Sequence, residues 1–189
     1  MPPTNRIEPM EAPDQAGGGK GRVLAALLTM SALGFAGWQA REGYTEIAVI
    51  PTKGDVPTIG HGSTRYEDGT RVKMGDRITR KRAAELARNL SKEDERAFVA
   101  TIPGVKLNQT EFDVYVDFIG QYGMGNWRGS SMRSNLLAGN YAGACRSLLK
   151  YRFAAGYDCS TMINGRPNKR CWGVWTRQKD RFDRCMGAQ

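Results

Sequence analysis

From Val23 to Ala40 the chain runs eighteen residues without a charge, with Lys20-Gly21-Arg22 before it and Arg41 after it. Two outcomes fit such a stretch: a helix buried in a folded core, or a segment held in a membrane. As a helix rising about 1.5 Å per residue it is roughly 27 Å long, just enough for a hydrocarbon core of about 30 Å with local adjustment. Its content is only weakly apolar. Ala25, Ala26, Thr29, Ser31, Ala32, Gly34, Ala36, Gly37 and Gln39 contribute little transfer energy, so an anchor made of them can also leave the bilayer. A basic flank followed by an apolar middle is the pattern of a signal region. Small residues at Gly34 and Ala36 offer a cleavage site, whereas cleavage after Ala40 places bulky Trp38 where a small residue is preferred. Residues 23–40 are therefore expected to form a weak transmembrane signal anchor, with an ordinary buried helix as the alternative.

Residues 1–22 precede this stretch; Pro2, Pro3, Pro13 and Gly17-Gly18-Gly19 give them no apolar period and predict a disordered tail. Gly17-Gly18-Gly19-Lys20 lacks the spacing and the following Ser or Thr of a phosphate loop. The remaining residues, 41–189, are one domain's worth of chain and long enough for a substantial core. The net charge of +9 favours a polyanionic partner. The basic residues are scattered and no nucleic-acid-binding motif organises them, so an anionic cell wall explains the charge as well and no nucleic-acid partner is expected.

Four cysteines, Cys145, Cys159, Cys171 and Cys185, all lie near the C-terminal end. Zinc fits poorly, because the spacings are far wider than two to four residues and His61 is remote in sequence, so no metal and no cofactor are expected. Disulfides suit an exported chain. Cys159 and Cys171 flank a turn-rich excursion containing Asn164-Gly165 and Pro167, closed at its neck; Cys145 and Cys185 would then join two helices.

Periodicity predicts mostly helix. Thr79 caps a helix to about Ala100, and Pro103-Gly104 stops it. Asn108 with Glu111 starts another, in which Phe112, Tyr115, Val116 and Ile119 recur at helical spacing until Gly123. Ser130 or Ser131 begins a short helix, Asn140 the next, and Trp175, Gln178, Phe182 and Cys185 mark the last. Only the region from Ala48 to about Val72 looks like sheet, its β-branched residues alternating with Pro51, Gly54, Gly60, Gly62 and Asp68-Gly69. The expected fold class is α+β, mainly helical, with a small β-lobe near its start.

Carboxylate chemistry is the natural reading of that lobe. Cleaving a glycosidic bond needs one carboxyl that gives a proton to the leaving oxygen and a second, ionised one that activates water or attacks the sugar. Glu42, near the end of the first helix and expected to be partly buried, is the candidate acid; Asp55, on a Gly-containing turn facing solvent, is the candidate base. Thr58, just beyond that turn, is placed to hold the attacking water. His61 reads as a structural or cleft-lining residue rather than a general base. Trp127, Trp172 and Trp175 are candidates for stacking on sugar faces or for the core.

Glu42-Gly43, the run Thr58-Ile59-Gly60-His61-Gly62-Ser63-Thr64, and the C-terminal helix from Trp175-Thr176-Arg177 to Cys185 together resemble the phage-type lysozymes, glycoside hydrolase family 24, over about residues 41–186. Gln121-Tyr122-Gly123 followed by Gly129-Ser130-Ser131 is similar to the family's segment in which a helix presents an amide to the sugar cleft and a hydroxyl residue starts the next helix. The resemblance implies a lysozyme-like fold with the β-lobe beside an active-site cleft. It implies hydrolysis of the β-1,4 bond between N-acetylmuramic acid and N-acetylglucosamine in peptidoglycan, by a monomer without a cofactor, to lyse a bacterial host. Glu42, Asp55 and Thr58 are the implied catalytic residues, and Gln121, His61 and Ser131 the substrate-binding ones. The chain departs from the family at the Asp: the usual positions hold Pro51 and Thr52, and Asp55 lies only three residues before Thr58. Either a rebuilt turn brings Asp55 to the same water, or Thr52 takes part, or Glu42 works with Thr58 alone. The weakly apolar N-terminal segment resembles that of the signal-anchor-release endolysins. This implies an enzyme tethered inactive to the host inner membrane through residues 23–40 and later released to the periplasm.

Overall fold

The computed structural model describes residues 21–189; the tail expected over 1–22 therefore lies outside it except for Gly21 and Arg22. Arg22 is not part of a free tail. Its guanidinium donates to Glu111 Oε1 and Oε2 at 2.8 and 3.0 Å and stacks 3.9 Å from the centre of the Tyr141 ring.

The segment 23–40 is not one helix. It begins with strand β1 (Val23–Leu24), passes through a single 3₁₀ turn at Ala25–Leu27, and becomes helix α1 only at Ala32–Glu42. Among the described residues no helix is long and apolar enough to cross a membrane. Tertiary bonds override the helical tendency of its first half. β1 pairs antiparallel with β4 (Lys106–Leu107), and Ala25 N–H donates to the Val105 carbonyl at 2.9 Å. Ser31 then caps α1, its hydroxyl accepting from Gly34 N–H at 2.9 Å, as Ser does at helix starts. Ala25 and Met30 are buried, and Leu28 and Phe35 pack on the same core.

After α1, strand β2 (Thr45–Val49) pairs antiparallel with β3 (Thr58–Gly60), joining Thr45 to Gly60 and Val49 to Thr58. Between those pairs β2 has three residues and β3 one, so β2 bulges. Its surplus turns to a third segment: Ala48 N–H donates to the Asp76 carbonyl and Ile78 N–H to the Glu46 carbonyl. Helix α2 (Arg80–Ala100) follows, capped by Thr79. Then come α3 (Gln109–Arg128), α4 (Ser131–Leu137), α5 (Tyr141–Ser147), the hairpins β5–β6 (Phe153–Ala154, Tyr157–Asp158) and β7–β8 (Met162–Ile163, Arg166–Pro167), and α6 (Trp172–Met186). The sheet content is thus wider than the one region predicted, because three two-residue pairs are too short to leave a period in sequence. The predicted capping box at Asn108 and Glu111 forms, and Gly123, at φ 78° and ψ 161°, breaks α3 where the apolar period ends.

Two cores result. Ala48, Ile59, Val72, Ile78, Ala83 and Leu86 form that of the β-lobe. The larger one gathers around α3, where Phe98, Phe112, Tyr115 and Trp127 pack edge to face or tilted. Helix α2 enters both, with Leu86 in one and Phe98 in the other, and so sets the lobes relative to each other. Trp127 is fully buried, its indole N–H given to Thr101 Oγ1 at 2.8 Å, which removes it from the sugar-stacking candidates. Cys145–Cys185 joins α5 to α6, and Cys159–Cys171 closes the loop holding β7 and β8.

Candidate active site

Glu42 is the last residue of α1, and Gly43 ends the helix with φ 72°, a left-handed value that suits glycine. The chain turns sharply there and aims the Glu42 side chain out of the helix toward the β-lobe. A Cβ placed on Gly62, itself at φ 85°, would lie 4.0 Å from Glu42 Oε2, so the carboxylate faces the glycine-rich run directly. Glu42 is exposed, against the expectation of partial burial. The reason is that α1 buries no residue of its last turn and meets the domain through Arg41 instead.

Acidic residues on α3 hold the segment that carries Glu42. Glu111 binds Arg22; Asp113 accepts from Ser31 N–H at 2.9 Å and from the Ser31 hydroxyl; Asp117 Oδ1 accepts from Arg41 Nη2 at 2.7 Å. Asp113 and Asp117 are four residues apart, hence on one face of the helix, and they grip the two ends of α1. The Asp117 site is the stiffer. Its Oδ2 accepts from Arg181 Nε at 2.7 Å, its backbone carbonyl from Arg181 Nη2 at 3.0 Å, and Arg181 is fully buried. Burial alone raises the Asp117 carboxyl, but Arg181 and Arg41 outweigh it and hold the group below its ordinary value. For Arg181 the balance is reversed: burial lowers the guanidinium despite Asp117, as expected when one carboxylate serves two cations.

His61 is buried and locked. Its Nδ1 bonds the Gly43 carbonyl, Nε2 lies 3.4 Å from Gln39 Nε2, and the ring leans on Trp38 and Tyr44. It therefore ties the turn after Glu42 to the glycine-rich run, a structural task. A cleft of about 320 Å³ opens beside it, walled by Trp38, His61, Gly62, Thr64, Arg65 and Asp94 among others. Glu42 is not in its wall but faces Gly62, which is.

The other predicted residues are placed differently. Asp55 is exposed on the turn beyond β2, where its Oδ1 accepts from Val56 N–H at 2.9 Å and its Oδ2 lies 3.5 Å from Thr52 Oγ1. Thr58 starts β3 opposite Val49 and gives its hydroxyl to the Val49 carbonyl at 3.3 Å. Gln121 Oε1 accepts from Arg181 Nη1 at 2.8 Å, which joins it to the Asp117 cluster. Ser131 is the first residue of α4 and accepts from Lys150 Nζ at 3.0 Å, while Ser130 supplies the cap. The structure thus brings Glu42, Gly62 and His61 together and leaves Asp55, at the far end of the hairpin, bonded to its own turn. Sequence reasoning missed Asp117, Arg181 and Arg41. The available signal was two acids four apart, Asp113 and Asp117, inside the otherwise apolar run from Phe112 to Ile119.

Comparison with known proteins shows what the chain is similar to. A family model described as phage lysozyme matches residues 39–170. The endolysin of Salmonella phage P22 is 28% identical over 144 residues, covering 76% of this chain and 97% of the relative. Among solved structures, a P22 lysozyme mutant superposes with a TM-score of 0.66 at 23% identity, covering 85% of this chain and 99% of that one. The active form of the P1 phage endolysin Lyz gives 0.64 at 17% identity, covering 86% and 87%.

Proposed function

The chain belongs to the phage lysozyme family, and on that premise we propose that it is an endolysin that hydrolyses the β-1,4 bond between N-acetylmuramic acid and N-acetylglucosamine. As a family member it is a peptidoglycan-degrading enzyme. The finer reading rests above all on one observation: Glu42 leaves the end of α1 at a left-handed glycine and points at the glycine-rich run beside the cleft. In that position Glu42 acts as the general acid, giving its proton to the leaving oxygen. Thr58 holds the attacking water, which Asp55 activates once its turn closes on substrate. Gln121 and Ser131 bind the glycan, and His61 fixes the turn that aims Glu42. The enzyme acts as a monomer.

A second reading is favoured by one specific feature. The Asp55 carboxylate is exposed and bonded to its own turn, so a transglycosylase that needs only Glu42 fits the same site. Turbidity loss of permeabilised Gram-negative cells, measured for wild type, Glu42→Gln and Asp55→Asn after checking equal folding, separates the two. Loss of activity in both variants supports the hydrolase. Loss in Glu42→Gln alone, with anhydro-ring products by mass, supports the transglycosylase, and an inactive wild type defeats both in favour of a binding module.

The same reading includes control by location. Residues 23–40 first hold the chain at the host inner membrane, and release to the periplasm lets them dock on α3. Support comes from the polar contacts themselves: Arg22, Ser31 and Arg41 all bond acids of α3, and a segment held in a bilayer makes none of them. The Arg41 contact and the His61 bond to the Gly43 carbonyl together position Glu42. Wall-degrading activity of membrane-bound against detached protein tests this; equal specific activity in the two fractions sinks it.

A further inference from the structure

Residues 152–171 form a region that wall hydrolysis leaves unused. The hairpins β5–β6 and β7–β8 each turn through two residues, Ala155-Gly156 and Asn164-Gly165, at φ 48°, 80°, 50° and 73°. Positive φ at both turn positions marks the tight turn that matches strand twist. The Cys159–Cys171 bridge closes the second hairpin onto the start of α6. Arg170 lies 4.7 Å from the centre of the Tyr157 ring and links the two hairpins.

This stapled finger stands outside both cores and leaves large apolar side chains uncovered. Phe153, Met162 and Ile163 are 58%, 55% and 52% exposed. Ile163, beside the Asn164-Gly165 turn, lines a concavity of about 560 Å³ with Pro167, Arg166, Lys169 and Arg170, and Met162 precedes it in β7. Between Tyr151 and Cys171 the only acid is Asp158, already bonded to Arg152 at 3.0 Å and to Ser160. Three cations beside exposed methionine and isoleucine therefore lack an acidic neighbour within the finger.

Charge and apolarity together select the occupant. A soluble polyanion accounts for the cations but gives no reason for uncovered Met162 and Ile163 beside them. A bilayer carrying phosphate headgroups over an acyl interior answers both. We propose that the finger docks the folded protein on a bilayer of anionic phospholipid, Met162 and Ile163 entering the acyl boundary while Arg166, Lys169 and Arg170 meet the headgroup phosphates. This surface is separate from residues 23–40 and from the cleft.

The test uses the full, disulfide-bonded chain and vesicles of phosphatidylglycerol in phosphatidylcholine, against phosphatidylcholine alone, by co-sedimentation at physiological salt. Each basic residue near such a surface contributes roughly fivefold in binding, so Arg166→Gln/Lys169→Gln/Arg170→Gln is expected to bind roughly 100-fold more weakly. Met162→Ser/Ile163→Ser is expected to lose at least roughly tenfold. Both variants should keep wild-type melting and wall-degrading activity. A Met162→Trp variant gives an independent reading, since its emission should shift to the blue on adding the anionic vesicles. Wild-type strength of binding in both finger variants, or no blue shift, overturns the proposal. So does displacement by soluble polyphosphate together with full binding by Met162→Ser/Ile163→Ser, which assigns the cations to a soluble anion.

Discussion

Replacing Asp117 with Asn removes one charge at the point where α1, α3 and α6 meet. Asp117 accepts from Arg41 and Arg181 at 2.7 Å each, and Arg181 has no exposed surface. Asn keeps the shape and one acceptor, but it leaves the Arg181 guanidinium buried without a counter-charge. Breaking a buried pair from one side costs about 3–5 kcal/mol, a large share of a total stability of about 5–15 kcal/mol. In a chain of this size that lowers Tm by roughly 6–20 °C. Asp180→Asn is the control, because Asp180 is exposed and its pair with Arg184 one turn on, at 3.2 Å, is of the i,i+4 kind that contributes at most about 0.5 kcal/mol. Guanidinium unfolding of both variants is the assay. The acid range adds a second readout. The Asp117 carboxyl sits below its ordinary value in the folded state, so its stabilisation is complete above the unfolded pKa of about 3.9 and fades as pH falls through the lower folded value. Wild type should show that loss below about pH 4, and Asp117→Asn should lack this component. A destabilisation under about 1 kcal/mol in Asp117→Asn, or one no larger than in Asp180→Asn, refutes the view that this cluster fixes the end of α1.

Gly34→Ala sets two effects against each other. Alanine gains about 1 kcal/mol of helix propensity over glycine, but the new Cβ would meet Asp113 Oδ2 at 2.7 Å and Cγ at 2.8 Å, and Asp113 is pinned by Ser31. Net destabilisation of about 1–2 kcal/mol is expected by thermal melting, and a stabilised variant would contradict it. Cys145→Ser/Cys185→Ser opens a loop with a sequence separation of 40 and should cost about 4 kcal/mol by loop-closure entropy, against about 3 kcal/mol for Cys159→Ser/Cys171→Ser with its separation of 12; guanidinium midpoints rank the two. Ala155→Gly relieves a non-glycine residue held at φ 48° and should stabilise the protein by about 1 kcal/mol, raising Tm by roughly 2–4 °C.

Legibility in the sequence followed the range of the interactions. The helix from Thr79, the capping box at Asn108 and Glu111, and the break at Gly123 were all readable, because each depends on residues within one turn of helix. The first helix was not. Its eighteen uncharged residues suggested continuity, but the choice among strand, turn and helix over 23–40 is made by Val105, Lys106, Leu107 and Asp113, far away along the chain. The solvent-facing turn at Asp55 was readable, but the reach of its carboxylate was not. Glu42 and Thr58 are read from motif spacing, whereas the reach of Asp55 depends on how β2 bulges against β3 and on which backbone group takes its carboxylate.

A mainly helical α+β chain, the caps that bound its helices, the glycine-rich run and the even set of cysteines all follow from residues close together along the chain. These are local chemistry: propensity, hydrogen bonding across three or four residues, and the φ freedom of glycine. Where Glu42 stands is a matter of packing. Its position follows from buried acids of α3 meeting Ser31 and Arg41, and from Arg181 arriving from the far end of the chain. A charge can remain buried only where a partner from a distant segment meets it, and that meeting is a property of the packed fold.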